Sequence, residues 1–271
     1  MPTEHSSKPD VTLPAVTRRG ALRVLGGAAG AVFLVSCGGS GDTTSSTTST
    51  GTTATTTTTT TTSSSSCTVT PEGEIGPYFA DDSATGFNRT DIRTNIDGTS
   101  TQSGIPLTLN ITVVDTENSC IGLQNAQVDI WHCNAEGIYS DEGVESTTGE
   151  TWLRGFQLSD SAGNVQFTTI FPGWYQGRTT HIHLRVRSKY STASSTSDGT
   201  NTTQVFFPQA TVNTIDTTVA PYSSHGTNST TNASDRVYTT QTEGKMELVL
   251  TGDATSGYTA SVTIGLPITS V

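Results

Sequence analysis

The chain has 271 residues and is acidic: 24 Asp and Glu stand against 13 Lys and Arg, and the formal net charge is −11. This charge argues against partners that are themselves polyanions, so we expect neither nucleic acid nor anionic lipid headgroups as ligands. Enzymes and small-molecule binding proteins both remain open.

Residues 1–36 have the composition of an export signal. Arg18 and Arg19 precede an apolar stretch that is shorter than the roughly 20 residues of a membrane-spanning helix. Twin arginines before a short apolar run are typical of bacterial twin-arginine signals. Residues 34–37, Leu-Val-Ser-Cys, resemble a lipoprotein box, which predicts lipidation of Cys37 and an envelope lipoprotein on the extracytoplasmic face of a bacterial membrane. An ordinary signal peptide with a chance cysteine is the alternative.

The next segment is predicted to be a tether. Residues 43–66 are all Thr and Ser except Gly51 and Ala54, so they offer almost nothing to bury against the entropy cost of ordering. We therefore expect residues 37–66 to be a lipidated, disordered spacer. Residues 67–271 are long enough for one domain with a sizeable core. Without residues 1–36, which hold four basic and two acidic residues, the net charge becomes −13.

Three cysteines belong to the predicted domain, namely Cys67, Cys120 and Cys133. An exported protein can form disulfides, and three cysteines allow three pairings with one thiol left over. We favour Cys120–Cys133, because these residues flank one turn and one strand. A zinc site made of these cysteines is disfavoured, since no Cys-x-x-Cys spacing is present.

Apolar and polar residues alternate along several stretches of the domain, which predicts half-buried strands. The clearest alternation is at residues 107–113, 127–130, 165–167 and 258–264. No stretch predicts an amphipathic helix. The expected fold is therefore all-β, an antiparallel β-sandwich with long loops at residues 78–104, 140–152 and 208–236. Loops of this length are usually functional.

A further predicted strand carries His181 and His183. Side chains alternate between the two faces of a strand, so both imidazoles point the same way and can hold one metal ion. Taken alone, such a pair also suits a zinc or copper site, or mere surface decoration. Of the other histidines in the domain, His132 is expected in the core and His225 in an exposed loop.

Two tyrosines accompany the histidine pair. Tyr175 lies six residues before His181, after a Pro-Gly-Trp turn, and Tyr139 lies just beyond the strand that contains Trp131. Either tyrosine alone would be read as an aromatic packed at a sheet edge. A phenol has a pKa near 10, but a bound trivalent cation stabilises the phenolate. Phenolate is a hard anionic donor, which suits Fe(III) better than Zn(II) or Cu(I).

Three segments, residues 70–78, 128–139 and 171–183, occur in an order that resembles the intradiol ring-cleavage dioxygenases, the group of protocatechuate and catechol 1,2-dioxygenases, and its exported branch in particular. The resemblance implies a transthyretin-like (prealbumin-like) β-sandwich and a non-haem Fe(III) cofactor. The ligands that it implies are Tyr139, Tyr175, His181 and His183.

The resemblance also implies a reaction. A catechol would displace Tyr175, and O2 would open its ring between the two hydroxylated carbons to give a cis,cis-muconate. Arg178 and Gln204 would stabilise developing negative charge, with Tyr78 at the mouth of the site and Trp174 beside it. The alternative is a non-catalytic transthyretin-like binding module whose metal site is vestigial or holds another metal. The preferred catechol, the oligomeric state and the role of residues 208–236 are not predicted.

Overall fold

The computed structural model describes residues 67–80, 85–188 and 200–268. The predicted signal (1–36), the predicted lipidation site Cys37 and the predicted tether (37–66) lie outside these residues. Within the described part of the chain, no helix has the length and apolar character needed to cross a membrane.

The described residues form strands and a few short helical segments. The strands are β1 (Pro106–Asp115), β2 (Ile121–Gly122), β3 (Gln127–Trp131), β4 (Arg154–Leu158), β5 (Asn164–Ile170), β6 (His181–Arg187), β7 (Thr200–Phe206), β8 (Val249–Asp253) and β9 (Gly257–Leu266). Between β7 and β8 lie α1 (Gln209–Thr218), α2 (Tyr222–His225), a 3-10 turn (Asn232–Ser234) and a π-helical turn (Val237–Gln241).

The strands make two sheets, as expected for a β-sandwich. The first sheet has the order β8-β9-β1, and the free edge of β1 pairs with β5 along its first part and with β2 at its end. The second sheet has the order β4-β3-β6-β7. The expected antiparallel arrangement is wrong at one pair, because β1 and β9 run parallel from Leu107 opposite Tyr258 to Asp115 opposite Leu266. Almost the whole domain separates these two strands, so no hairpin dictates their direction.

The core lies between the two sheets. Leu107, Leu109 and Ile111 of β1 are buried while the residues between them are partly exposed, which is the period-2 pattern of a half-buried strand. Strand β6 differs, because all seven of its residues are buried. Ile182, on one face of β6, belongs to the core. The opposite face, which carries the two histidines, is covered by other parts of the chain.

One of these covering parts is residues 67–80, which we call the N-terminal strap. Its backbone bonds to both sheets, from Thr70 N–H to the Gly265 carbonyl (3.0 Å) and from Gly73 N–H to the Thr202 carbonyl (2.8 Å). At Gly76, with φ +70°, an added Cβ would lie 3.0 Å from Cε1 of His183. The strap therefore runs close over the histidine face of β6.

The disulfide joins Cys67 to Cys120, so the expected Cys120–Cys133 bond is wrong. Cys120 lies in the turn between β1 and β2 of one sheet. Cys133 follows β3 in the other sheet, where its buried thiol donates a 3.5 Å hydrogen bond to the Gly173 carbonyl. Cys120 and Cys133 are close in sequence but not bonded, because the chain crosses from one sheet to the other between them.

The segment expected as a loop at residues 208–236 contains helix α1, contrary to the expectation that the domain has no helix. The helix buries only Val212, Ile215 and Asp216, and it is rich in threonine, a residue of low helix propensity. Its threonine hydroxyls bond to carbonyls one turn back, for example Thr214 to Ala210 (2.9 Å). Tertiary packing therefore overrides a weak local preference.

Candidate metal centre

Strand β6 brings His181 and His183 together on its buried polar face. Their Nε2 atoms are 3.1 Å apart. Nδ1 of His181 lies 2.6 Å from the Thr179 carbonyl, which can only accept, so Nδ1 carries the proton and Nε2 is the acceptor nitrogen. The ring of His183 stacks on Trp131 with centroids 4.8 Å apart. Its Nδ1 is buried and has no hydrogen-bond partner in the described residues.

Both imidazoles are held neutral. Burial lowers the pKa of His181 to about 3, and the nearby Arg178 adds to the effect. The pKa of His183 is lowered well below its ordinary value, first by burial and then by His181. Neutral imidazoles are the form that binds metal ions, so both rings are available as ligands at physiological pH.

Tyr175 and Tyr139 lie against the two histidines. The Tyr175 hydroxyl is 3.2 Å from Nε2 of His181, and the rings of Tyr175 and Tyr139 are 5.6 Å apart. Tyr139 is buried, and its hydroxyl has no hydrogen-bond partner within the described part of the chain. Burial raises the pKa of Tyr175 to about 12 and that of Tyr139 well above 10.

Two glycines explain why these tyrosines meet, although 36 positions separate them in the sequence. At Gly137, with φ +81°, an added Cβ would lie 2.1 Å from the Trp174 carbonyl oxygen. At Gly173 it would lie 2.4 Å from the Ala135 carbonyl oxygen. Only glycine permits so close an approach of the two backbones. The loops that end in Tyr139 and Tyr175 are therefore interlocked.

The four side chains fit a hard trivalent cation. A buried hydroxyl without a partner costs about 1–3 kcal/mol, and a cation would both use that oxygen and lower the phenol pKa. Two phenols and two neutral imidazoles are donors suited to Fe(III). In the described residues no three His, Cys, Asp or Glu side chains cluster as ligands, so the donor set at this place is the two histidines together with the two tyrosines.

Arg178 and Gln204, both singled out from the sequence, contact each other here. The guanidinium donates through Nη2 to Oε1 of Gln204 and through Nε to Asp235 at 2.8 Å. Gln204 pairs with His183 across β6 and β7, and its amide donates to the Glu74 carbonyl of the strap at 2.8 Å. Arg178 is thus fixed beside the histidines.

Asp235 was missed by the sequence analysis. Burial opposes its ionisation, but hydrogen bonds from the Arg178 guanidinium and from Thr179 N–H outweigh burial, and its pKa is lowered. It reaches Arg178 across 57 positions of sequence from a Ser/Thr/Asn-rich segment that has no recognisable motif. No local signal could have identified this pair.

Arg154 was missed as well. This buried residue of β4 donates to Oγ of Ser140 (2.8 Å), to the Ser140 carbonyl (2.7 Å) and to the Tyr78 carbonyl. It therefore ties the end of the strap to the residue that follows Tyr139. The only hint in the sequence was that Arg154 stands between the apolar Leu153 and Gly155-Phe156, where a buried strand would not normally carry a charge.

The two residues expected at the mouth have different surroundings. Tyr78 stacks on Tyr139 with centroids 4.2 Å apart, directly over the candidate ligands. Trp174 is partly exposed; its Nε1 donates to the Gly226 carbonyl (2.9 Å) and its ring contacts His225. Trp174 also lines an open cleft of about 700 Å³ that Tyr175 shares. Tyr78 therefore lies over the ligands, whereas Trp174 forms part of the cleft wall.

Of the remaining histidines, His132 lies in the core as expected, whereas His225 is exposed as expected but ends helix α2 instead of lying in a loop. His132 is fully buried, with Nδ1 2.8 Å from the Cys133 carbonyl and Nε2 2.8 Å from the Thr169 hydroxyl. Burial lowers its pKa to about 4. Since both of its nitrogens have partners, His132 has no lone pair to offer a metal. His225 is exposed.

Comparison with known proteins points to dioxygenases. The family model described as a dioxygenase matches residues 75–220. A catechol 1,2-dioxygenase from Candida albicans is 30% identical over 139 residues, which are 43% of this chain and 42% of that protein. The chain thus matches less than half the length of this relative.

Two solved structures extend the likeness. An intradiol ring-cleavage dioxygenase from Tetranychus urticae superposes with a TM-score of 0.62 at 26% identity, covering 74% of this chain and 95% of that one. The dioxygenase domain of a dioxygenase carbohydrate-binding protein fusion from Streptomyces sp. SirexAA-E gives 0.51 at 24% identity, covering 74% and 100%. At that identity the second likeness concerns the fold alone.

Proposed function

Since this chain belongs to the intradiol ring-cleavage dioxygenase family, we propose that it opens the ring of a catechol between the two hydroxylated carbons with O2. Both oxygen atoms would enter the product, a cis,cis-muconate-type diacid. The observation that carries the proposal is the buried cluster of two phenols and two neutral imidazoles, in which the Tyr139 hydroxyl has no partner among the described residues. The same family membership supports a transthyretin-like form of the sandwich.

The residues that would hold the cofactor, a non-haem Fe(III), are Tyr139, Tyr175, His181 and His183. When bound, this ion supplies Lewis acidity that binds the two catechol oxygens and activates the ring toward O2. Tyr139 is fully buried, so we assign it to the ligands that stay in place. Tyr175 is less buried and borders the open cleft, so it is the ligand able to yield to a catechol oxygen.

Tyr175 would also accept a proton. A catechol that binds through both oxygens loses two protons; one would pass to the Tyr175 oxygen, because a phenolate whose phenol has a pKa of about 12 is a strong base, and the other would pass to solvent in the open cleft. Its oxygen, 3.2 Å from His181 Nε2, is close to the place where a catechol oxygen must bind. The base would therefore be formed beside the hydroxyl that it deprotonates.

Arg178 and Gln204 would face the negative charge that develops on the ring and its oxygens. The guanidinium is held in advance by Asp235 and Gln204, so it needs no reorganisation during the reaction. Fixed donors in a partly dry site stabilise developing charge more strongly than water does.

The same proposal includes export and lipid anchoring. The twin arginines and Cys37 support it from the sequence, and the disulfide between Cys67 and Cys120 is of the kind that persists in oxidising compartments. The partners would then be a small catechol, O2 and, through the anchor alone, a membrane.

The test is the iron content, colour and activity of the full chain. Protein prepared with iron should bind one Fe(III), absorb in the visible range through tyrosinate charge transfer, and convert catechol to muconate. His183→Ala should lose most of the iron and nearly all ring cleavage, while circular dichroism should show the strands retained. Colourless, iron-free wild-type protein that leaves catechol unchanged would instead favour the non-catalytic binding module.

A further inference from the structure

The cleft beside Tyr175 is larger than a single unsubstituted ring requires. Its volume of about 700 Å³ lies within the range of roughly 300–1,000 Å³ that holds substituted ligands of drug size. Gly137 and Ile138, which directly precede Tyr139, form part of its wall. It therefore borders Tyr175 and the segment just before Tyr139, and it has room for a ring substituent.

The fixed charges of this cleft are negative. Glu136 and Glu145 line it, and among its lining residues that the structure describes none is Lys or Arg. His225 also lines the cleft.

Two basic residues lie near the ligands but are not part of the cleft wall. Arg178 forms an ion pair with Asp235, whose side chain is fully buried. Arg154 is buried and donates to Ser140 and to the Tyr78 carbonyl. Neither guanidinium lines the cleft, whose charged wall residues are Glu136 and Glu145.

We infer that this cleft selects catechols by charge: a ring with a cationic amine substituent is favoured, one with an uncharged substituent is accepted, and one with a carboxylate is disfavoured. The inference rests on the proposed function and adds a substrate class to it. Glu145 and Glu136 are the specificity-determining residues.

The test compares three catechols that differ in one substituent at ring position 4: 2-aminoethyl, methyl and carboxylate. At pH 8 the amine is protonated and the carboxylate ionised. At low salt kcat/KM should fall in the order amine, methyl, carboxylate, with about tenfold or more between the extremes, and the spread should narrow as salt is added. Equal values, or a preference for the carboxylate, would overturn the inference.

Variants locate the effect. Glu145→Gln should reduce the amine-to-carboxylate ratio of kcat/KM about fivefold, and Glu136→Gln should act in the same direction. Glu117→Gln removes the same charge from the exposed turn between β1 and β2 and should leave the ratio unchanged. If all three variants shift the ratio equally, the net charge of the molecule acts instead of the cleft, and the assignment is wrong.

Binding to iron-free protein separates this inference from the proposed function. Trp174 lines the cleft, so its fluorescence should report the dissociation constant of each catechol without turnover. If affinity falls in the order amine, methyl, carboxylate but no catechol is cleaved, the charge selection is supported and the dioxygenase proposal is refuted. If catechols are cleaved but neither kcat/KM nor the dissociation constant depends on the charge of the substituent, the dioxygenase proposal is supported and the charge selection is refuted.

Discussion

At the scale of single residues, Tyr139 has a buried hydroxyl that makes no hydrogen bond within the described residues. Its ring is well packed, and its pKa is raised well above 10, first by burial and then by the neighbouring Tyr175 phenol, although the two hydroxyls are not within hydrogen-bonding geometry. Tyr222 is its structural opposite, since its buried hydroxyl donates to the Phe171 carbonyl (2.6 Å) and accepts from Ile105 N–H (3.0 Å). One phenol lowers the stability of the fold and the other supports it.

Removing each hydroxyl should therefore have opposite effects. In iron-free protein we expect Tyr139→Phe to raise the free energy of unfolding by about 1 kcal/mol, because it deletes an unsatisfied polar group. Tyr222→Phe should lower the free energy of unfolding by about 1–3 kcal/mol, because it leaves the Phe171 carbonyl and the Ile105 N–H without their hydrogen-bond partner. Urea unfolding measures both, and iron content should fall only in Tyr139→Phe. Destabilisation by Tyr139→Phe would mean that the hydroxyl has a partner in solution.

A second residue-scale prediction concerns Asp216 of α1. This buried carboxyl has an unpartnered Oδ2 among the described atoms, and burial raises its pKa to about 6, while the Asn228 backbone N–H partly offsets the shift. Because the folded pKa lies above the unfolded value, the associated stability is full below about pH 4 and is lost as pH rises through about 6.

We therefore expect Asp216→Asn to remove this pH dependence. Between pH 4 and 7 the wild type should lose about 2 kcal/mol of unfolding free energy relative to the variant. Urea titrations at a series of pH values provide the measurement, with Glu117→Gln as a control for net charge. Parallel pH profiles of the wild type and Asp216→Asn would show that Asp216 has an ordinary pKa.

At the scale of elements, the interlocked loops that end in Tyr139 and Tyr175 decide the site geometry. Gly137 and Gly149 allow a matched comparison, because both have positive φ, +81° and +83°. An added Cβ at Gly149 meets nothing within 4 Å, whereas at Gly137 it meets the Trp174 carbonyl. The backbone strain of an alanine is the same at both positions, and only the contact differs.

Gly137→Ala and Gly149→Ala should each lose about 1–2 kcal/mol of stability from the left-handed conformation. Only Gly137→Ala should also force the two tyrosines apart, with at least a tenfold loss of iron affinity and a weaker charge-transfer band. Competition with a chelator and visible spectroscopy give these quantities. Equal iron affinity in the two variants would contradict the interlock.

Sequence patterns predicted the elements to different degrees. The strands follow from alternation, since one face of each packs on the core, and β1, β3, β5, β6 and β9 lie where it predicted them. The histidine pair follows from the same periodicity. Helix α1, the partner of Cys120 and the Arg178–Asp235 pair could not be predicted, because tertiary contacts between distant segments determine all three.

At the scale of the whole molecule, the disulfide joins the start of the strap to the sheet of β1. It connects residues 53 positions apart, and in the chain-entropy model a loop of this length contributes about 4 kcal/mol. The strap covers His183 and Gln204. The disulfide therefore also helps to hold the strap in place over the site.

Replacing both Cys67 and Cys120 with serine should therefore lower the free energy of unfolding by up to about 4 kcal/mol in urea. Cys133→Ser should leave the disulfide intact, because that buried thiol is free. Non-reducing peptide mapping should recover Cys67 joined to Cys120 and an alkylatable Cys133. A peptide pair containing Cys120 and Cys133 would refute the pairing.

The position of this disulfide also determines how the domain would carry a mechanical load. Cys67 is the first described residue of the strap, and its bond leads straight into the turn between β1 and β2. A pull on the chain from its N-terminal side would reach Cys67 and pass through the covalent link into that sheet. Residues 68–80, which cover the histidines, would lie downstream of the bond and be shielded from the force.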